Sequence, residues 1–294
     1  RFGYGIWAYN YAYDGDGDGV SGDAATTLSG VTANGNYSTN LSFDNWSDEG
    51  AATVALNNVV ANNSQWDYGI YIYNRAYDDN GDGVGGDAIV SLNNVTASAN
   101  YSTNIYISNY SYEGDAVVGL ANVAGNSSLD CYGIEINNRA YDDNSDGTGG
   151  AAIVTLNNVV ANGSYSTNIY ISNYSDEGDA AVYLTDVTAS RSIWDYGIYL
   201  YNYAYDDNGD GVGGDAVVML TGVTAGNNYS TNIYISNGSD EGNAIVSLSN
   251  IVANNSVWSS GIDIYNLAYN DNSDGIGGDA IVTLRNVVAA YNYS

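Results

Sequence analysis

The sequence predicts an all-β fold, a three-sided parallel β-helix. Three observations carry this expectation. A unit that opens with apolar–polar alternation, as in Ile70-Tyr71-Ile72-Tyr73, returns along the whole 294-residue chain. The spacing of successive units alternates between 35 and 29 residues, from Gly5-Ile6 to Gly261-Ile262, so two units make a 64-residue repeat. Apolar positions of successive units also fall into unbroken columns. Nine coils are therefore expected, long and short by turns, as one domain spanning residues 1–294 and about 43 Å long at about 4.8 Å per coil.

Within one coil the elements follow in a fixed order. Ile70-Tyr71-Ile72-Tyr73 reads as a strand with Ile inward and Tyr outward, ending at Asn74. A loop follows, long in one coil and short in the next. Ala88-Ile89-Val90-Ser91-Leu92 reads as a second strand. The Asn93-Asn94 corner turns into a short third strand, Val95-Thr96-Ala97, and Asn100-Tyr101-Ser102-Thr103 leads to the next coil.

The first strands supply the column Ile6, Leu41, Ile70, Ile105, Ile134, Ile169, Ile198, Ile233 and Ile262. The second supply Leu28 through Leu284, and the third Val31 through Val287, at the same spacing. Stacked like on like, these bury a core that no single coil could close alone. A polar column is equally unbroken: Asn10, Asn45, Asn74, Asn109, Asn138, Asn173, Asn202, Asn237 and Asn266. Such amides can donate to one coil and accept from the other, which predicts a structural ladder.

Composition excludes several functions. The chain carries 34 acids against five basic residues, all arginine, and no histidine, for a net charge of −29. Nucleic acid and anionic membranes repel such a surface, so the expected partners are cations or basic groups. No apolar run reaches the roughly 18 residues of a membrane span. Cys131 is alone and has Asp67 and Asp195 as counterparts one period away, so it reads as a drifted turn residue. Proline is absent, which suits a chain that is nearly all ladder.

The columns, with stretches such as Val154-Thr155-Leu156-Asn157-Asn158-Val159-Val160-Ala161-Asn162, resemble the right-handed parallel β-helix repeats of the pectate-lyase-like superfamily. They resemble above all the Asn-rich repeats of secreted bacterial adhesins. The resemblance covers the whole chain and implies the fold and its handedness. It implies little about function, because that fold carries enzymes and inert stalks alike. The runner-up, a nonapeptide calcium β-roll, needs a nine-residue beat that is missing here.

Five long loops begin at Asp14, Asp78, Asp142, Asp206 and Asn270. Alternate acid or amide oxygens with interspersed glycine are how a short loop wraps a hard cation, and calcium is the expected cofactor. The first loop resembles the opening half of an EF-hand or dockerin loop. Its ligand set is Asp14, Asp16, Asp18, the Val20 carbonyl and Asp23, with no Glu at the twelfth position. The second offers Asp78, Asn80, Asp82, Val84 and Asp87, and the third Asp142, Asn144, Asp146 and Thr148. The fourth offers Asp206, Asn208, Asp210, Val212 and Asp215, and the fifth Asn270, Asn272, Asp274, Ile276 and Asp279. The third has Ala151 where others have Asp, and the fifth lacks the first Asp, so these two sites should be weaker. Short-coil acids at Asp48-Glu49, Glu113, Asp176-Glu177 and Asp240-Glu241 lie between long loops and could complete their sites.

Two further sets deserve testing as binding features. Tyr71, Tyr106, Tyr170, Tyr199 and Tyr234 form an outward stripe that could stack on glycans or merely cover the sheet. Asn36, Asn100, Asn228 and Asn292 head Asn-x-Ser triplets and are candidate glycosylation acceptors.

Three classes of function compete. The first is an extracellular or cell-surface structural module: a fibre, stalk or surface-layer subunit. The second is a glycan-binding adhesin segment. A polysaccharide lyase or hydrolase ranks last: the chain has no His or Lys base, and Asp44, Glu135 and Asp263 lie roughly 14 Å or more apart on the strand face. The terminal coils carry no polar cap, which leads us to expect further repeats of the chain or copies of itself stacked end to end. No signal segment precedes Arg1, so a processed or excised chain is expected.

Overall fold

The computed structural model describes residues 3–14, 21–78, 85–142, 149–206, 213–270 and 277–293. Among them there is no helix, and all strand pairing is parallel. The first strands form one nine-stranded sheet whose spatial order is the chain order. Residues one coil apart sit side by side: Ile6 pairs with Leu41, Leu41 with Ile70 and Ile70 with Ile105. The alternating spacing seen in the sequence is thus the register of the sheet, and the chain is a parallel β-solenoid.

The first strands run further than the alternation alone suggests. Ile70–Tyr77 continues past Asn74 to the edge of the loop. The predicted second and third strands share one sheet and are often a single element, as in Ala88–Thr96, bent at its corner. The bend has a local cause. Asn58, Asn94, Asn122, Asn158, Asp186, Asn250 and Asn286 all adopt left-handed backbone, with φ between 52° and 56°, and Gly30 and Gly222 do so at 67°. Asn, Asp and Gly are the residues that visit this region most cheaply.

The core is one continuous column of interior side chains. Ile70, Ile72, Leu92, Val95, Ile105, Ile107 and Leu120 and their equivalents in the inner coils are completely or almost completely buried, while Ile6, Leu28, Ile262 and Val287 of the end coils are partly buried. Burying such side chains contributes about 1.5–3 kcal/mol each. In the last strand, Ala280–Val288, Val282 and Leu284 are instead exposed, at 46% and 56%.

The Asn column is a hydrogen-bonded ladder. Asn45 Nδ2 donates to Asn74 Oδ1 at 2.7 Å, Asn74 to Asn109 at 2.8 Å, and Asn109 to Asn138 at 2.8 Å. The chain of amides continues to Asn266. Each Nδ2 also donates to the alanine carbonyl that opens a second strand, as Asn138 does to Ala116 at 2.8 Å. The ladder therefore closes the neck of every loop, and the loops begin just outside it.

Candidate functional site

Two outer features remain once the core is accounted for: the acidic loop ridge at the end of the first sheet, and the tyrosine face of that sheet.

The ridge is built on close backbone approach. Gly50, Gly86, Gly114, Gly150, Gly178, Gly214, Gly242 and Gly278 form a glycine column. A Cβ on Gly86 would lie 2.2 Å from the Gly50 carbonyl carbon, and one on Gly150 would lie 2.0 Å from the Gly114 carbonyl oxygen. Only hydrogen fits there. Beside it, Ser47, Ser111, Ser175 and Ser239 of the short coils donate to glycine carbonyls of the preceding long coils at 2.7–3.0 Å. The matching long-coil positions are buried Ala76, Ala140 and Ala204, packed against the alanines that open the second strands. Reading loops for ligands alone missed this column, although its spacing was present in the sequence.

The first acid of four long loops is buried at the loop's root: Asp14 at 5%, Asp78 at 4%, Asp142 at 5% and Asp206 at 8%. Asn270 is half-buried at the same position. The middle ligand candidates lie outside the described residues. These are Asp16, Asp18, Val20, Asn80, Asp82, Val84, Asn144, Asp146, Thr148, Asn208, Asp210, Val212, Asn272, Asp274 and Ile276. Among the described residues, no group of three or more acids, cysteines or histidines closes into a coordination shell.

The tenth-position acids have a structural partner. Asp23 Oδ1 accepts the Ala51 backbone N–H at 3.0 Å, and Asp87 Oδ1 accepts that of Asp115 at 3.0 Å. Asp215 Oδ1 accepts both the backbone and side-chain N–H of Asn243, at 2.7 and 3.0 Å. Asp279 donates its own N–H to Asn243 Oδ1 at 3.0 Å. Asp23, Asp87 and Asp215 thus staple adjacent coils through one carboxylate oxygen, and Asp279 does so through its backbone N–H.

The short-coil glutamates hold an unusual backbone. Glu49, Glu113, Glu177 and Glu241 have φ of 67°, 74°, 68° and 68°. Glutamate has no local hydrogen bond that eases this region, unlike Asn or Asp, and left-handed backbone outside Gly costs of order 1 kcal/mol. Each is pinned by donating its N–H to a tyrosine carbonyl of the next coil, at 2.8–2.9 Å. A Cβ built on Gly85, Gly149 or Gly213 would lie 3.2, 3.2 and 3.5 Å from the Cβ of Glu113, Glu177 and Glu241. The short-coil glutamate Cβ therefore packs beside the glycine at the exit of the preceding long loop.

On the tyrosine face the stripe stacks on itself. Tyr71 and Tyr106 lie 5.1 Å apart with planes 7° from parallel. Tyr170 and Tyr199 are 5.4 Å apart, and Tyr199 and Tyr234 4.7 Å. Ring faces that a sugar would need are thus largely covered by neighbouring tyrosines. Burial pushes the Tyr68 and Tyr132 hydroxyls up to about 12, with nearby carboxylates adding to the effect. The Arg75 guanidinium lies 4.1 Å over the Tyr73 ring, and that of Arg139 5.0 Å over Tyr174, so both arginines pack into the face. Cys131 is half-buried, and burial pushes its thiol up, away from reactivity.

The Asn-x-Ser set occupies a second amide ladder. Asn40 Nδ2 donates to Asn100 Oδ1 at 3.0 Å, and Asn100 Nδ2 donates to Asn104 Oδ1 at 2.8 Å. Asn228 Nδ2 donates to Asn232 Oδ1 at 2.7 Å, and Asn232 Nδ2 to Asn292 Oδ1 at 3.2 Å. Asn100 and Asn228 are completely buried. In the folded stack there is no room for a glycan on either amide. Asn36 and Asn292 are half-buried, and each donates its Nδ2, to Asn40 Oδ1 and to the Ala253 carbonyl. An acceptor triplet and a turn amide look alike in sequence; burial separates them.

Compared with known proteins, the chain matches no family model, no curated sequence and no solved structure.

Proposed function

We propose that the chain is an extracellular structural repeat module, a stalk, fibre or surface-layer segment, whose acidic ridge is held by calcium. The observation that carries this reading is the set of four glutamates kept in left-handed backbone beside the long loops. Glycine would satisfy that turn more cheaply, so the carboxylate itself is the feature retained. With the buried first Asp of the loops, it supplies hard oxygen ligands of the kind calcium takes in sets of about 6–8. The Ca2+ would be held by Asp14, Asp78, Asp142, Asp206 and their loop partners, with Glu113, Glu177 and Glu241 completing neighbouring loops. When bound, it neutralises repulsion along the ridge and ties cation binding to folding.

A structural role also accords with columns that run through every coil without a local break. The resemblance to adhesin β-helix repeats points the same way and to a cell-surface setting. The exposed apolar residues Val282 and Leu284 suit end-to-end docking of another copy. Catalysis is not part of this reading. Asp44, Glu135 and Asp263 stand on strands three and four steps apart in the sheet, wider than the roughly 5–9.5 Å of a glycosidase pair. Glycan binding at the tyrosine face ranks second, since these rings remain partly exposed. Equilibrium dialysis against calcium tests the main reading. Several ions per chain, with magnesium a poor competitor, are expected; no calcium uptake at millimolar concentration would overturn it.

A further inference from the structure

A row of slots runs along the turn where coils enter the first sheet. Long coils place Tyr4, Tyr68, Tyr132 and Tyr196 there, and short coils place Thr39, Thr103, Thr167 and Thr231 in between. Each threonine is buried, at 1–2% exposure; Thr39, Thr103 and Thr167 lie between two of these tyrosines, and Thr231 between Tyr196 and Ser260. Those tyrosines are two coils apart, roughly 9.6 Å at about 4.8 Å per coil. Two of the gaps are open cavities. That at Tyr4, Thr39 and Tyr68 has a volume of about 340 Å3, and that at Tyr132, Thr167 and Tyr196 about 220 Å3.

Every slot holds a carboxylate, and the four do not come from one sequence position. In the first and third it is the turn residue, Asp67 or Asp195, which takes a hydrogen bond from Ser38 or Ser166 of the short coil at 3.3 and 3.4 Å. In the second and fourth the turn residue is Cys131 or Ser259. There the acid appears four residues later, as Glu135 or Asp263, where the first and third slots have Tyr71 or Tyr199. Glu135 meets the Thr103 hydroxyl, and Thr231 Oγ1 donates to Asp263 Oδ2 at 3.1 Å. A repeat that has drifted at both positions has kept one acid over each threonine. Burial raises the pKa of both Glu135 and Asp195, so these carboxylates sit in poorly solvated places.

We propose that these slots bind an alkylammonium ion, held against the slot carboxylate and beside the tyrosine rings of alternate coils. Backbones two coils apart are about 9.6 Å apart, so a cation seated between them comes within the roughly 6 Å reach of a cation–π contact with a flanking ring. One carboxylate per slot, or two in the first, where Asp44 joins Asp67, is too few oxygens for calcium, which separates these sites from the loop ridge. The protein's own arginines on this face, Arg75 and Arg139, are already stacked over Tyr73 and Tyr174. The fourth slot has Ser260 in place of a tyrosine and is the weakest of the four.

The test is ligand-observed saturation-transfer NMR on the whole chain with chelator present, so that the calcium loops stay silent. One arm uses tetramethylammonium and the other Nα-acetyl-lysine amide, each at constant ionic strength against sodium chloride. Saturable binding in either arm is expected, and the tighter arm tells a quaternary amine from a lysine side chain as the source. Replacing the acids by amides of the same shape (D67N, E135Q, D195N and D263N together) keeps the acceptors of the hydroxyl bonds. It should weaken binding at least tenfold. Tyr68→Ser with Tyr196→Ser, which copies Ser260, should weaken it severalfold. No saturable binding in the unaltered chain would overturn the proposal. Equal binding by the four-acid variant, with its melting unchanged, would do so too.

Discussion

The two ends of the first sheet solve the same problem with different chemistry. Where coils enter the sheet, Asn40, Asn100, Asn228 and Asn232 close the turn with neutral amides, each donating and accepting within the stack. Where coils leave it, the same tight stacking brings Asp78, Glu113 and Asp142 onto successive coils, and their charges repel. Two unit charges about 4.8 Å apart repel by roughly 0.9 kcal/mol even in water. The amides of this ladder find their partners within the chain. On the proposed reading the acid end also takes a cation from solvent, so perturbations at the two ends should differ in their response to calcium.

The largest effect should come from Gly150→Ala, because the added carbon would lie 2.0 Å from the Gly114 backbone oxygen, which cannot move aside without shifting a coil. A loss of about 3 kcal/mol or more is expected in chemical denaturation, at any calcium level. Next is Asn138→Ala in the interior ladder. It strips donors from Ala116 O and Asn173 Oδ1 and the acceptor from Asn109, and should cost about 2–4 kcal/mol, again independent of calcium. A calcium-dependent loss in either variant would blur the contrast between the two ends.

A smaller, opposite effect sharpens it. The amide ladder at the turn is interrupted at Ser164, which is fully buried with its hydroxyl lacking a partner. At the equivalent positions Asn100 and Asn228 each carry the ladder across. Ser164→Asn should restore the link and add about 1 kcal/mol. A loss of stability would show that the break is required rather than drifted.

How much of this was legible beforehand follows from the type of signal. The columns through Ile70, Leu92 and Val95 and the ladder through Asn74 were readable because each is a residue type repeated at a fixed spacing. The corner Asn94 was placed correctly as a turn, but its left-handed backbone joins two predicted strands into one bent element. Asn100 was misleading because Asn-Tyr-Ser satisfies both a glycosylation triplet and a buried turn. The self-stacking of Tyr199 on Tyr234 depends on side-chain angle, which spacing does not encode. The left-handed Glu177 gave no sequence signal at all, since glutamate is not a residue expected there. The exchange of Asp195 for Glu135 between slots was visible only once Thr103 and Thr167 were known to be their partners.

The central claim is that the acid end of the sheet is a calcium-dependent structure, and Glu177→Gly tests it most directly. Melting of this variant and of the unaltered chain would be followed across a calcium titration, with a chelated control. Glycine relieves the left-handed backbone, so without calcium the variant should melt at or above the unaltered chain, by up to about 1 kcal/mol. With saturating calcium the order should reverse, because the unaltered chain gains a ligand that the variant lacks. Melting curves that do not respond to calcium or chelator in either protein would contradict the account.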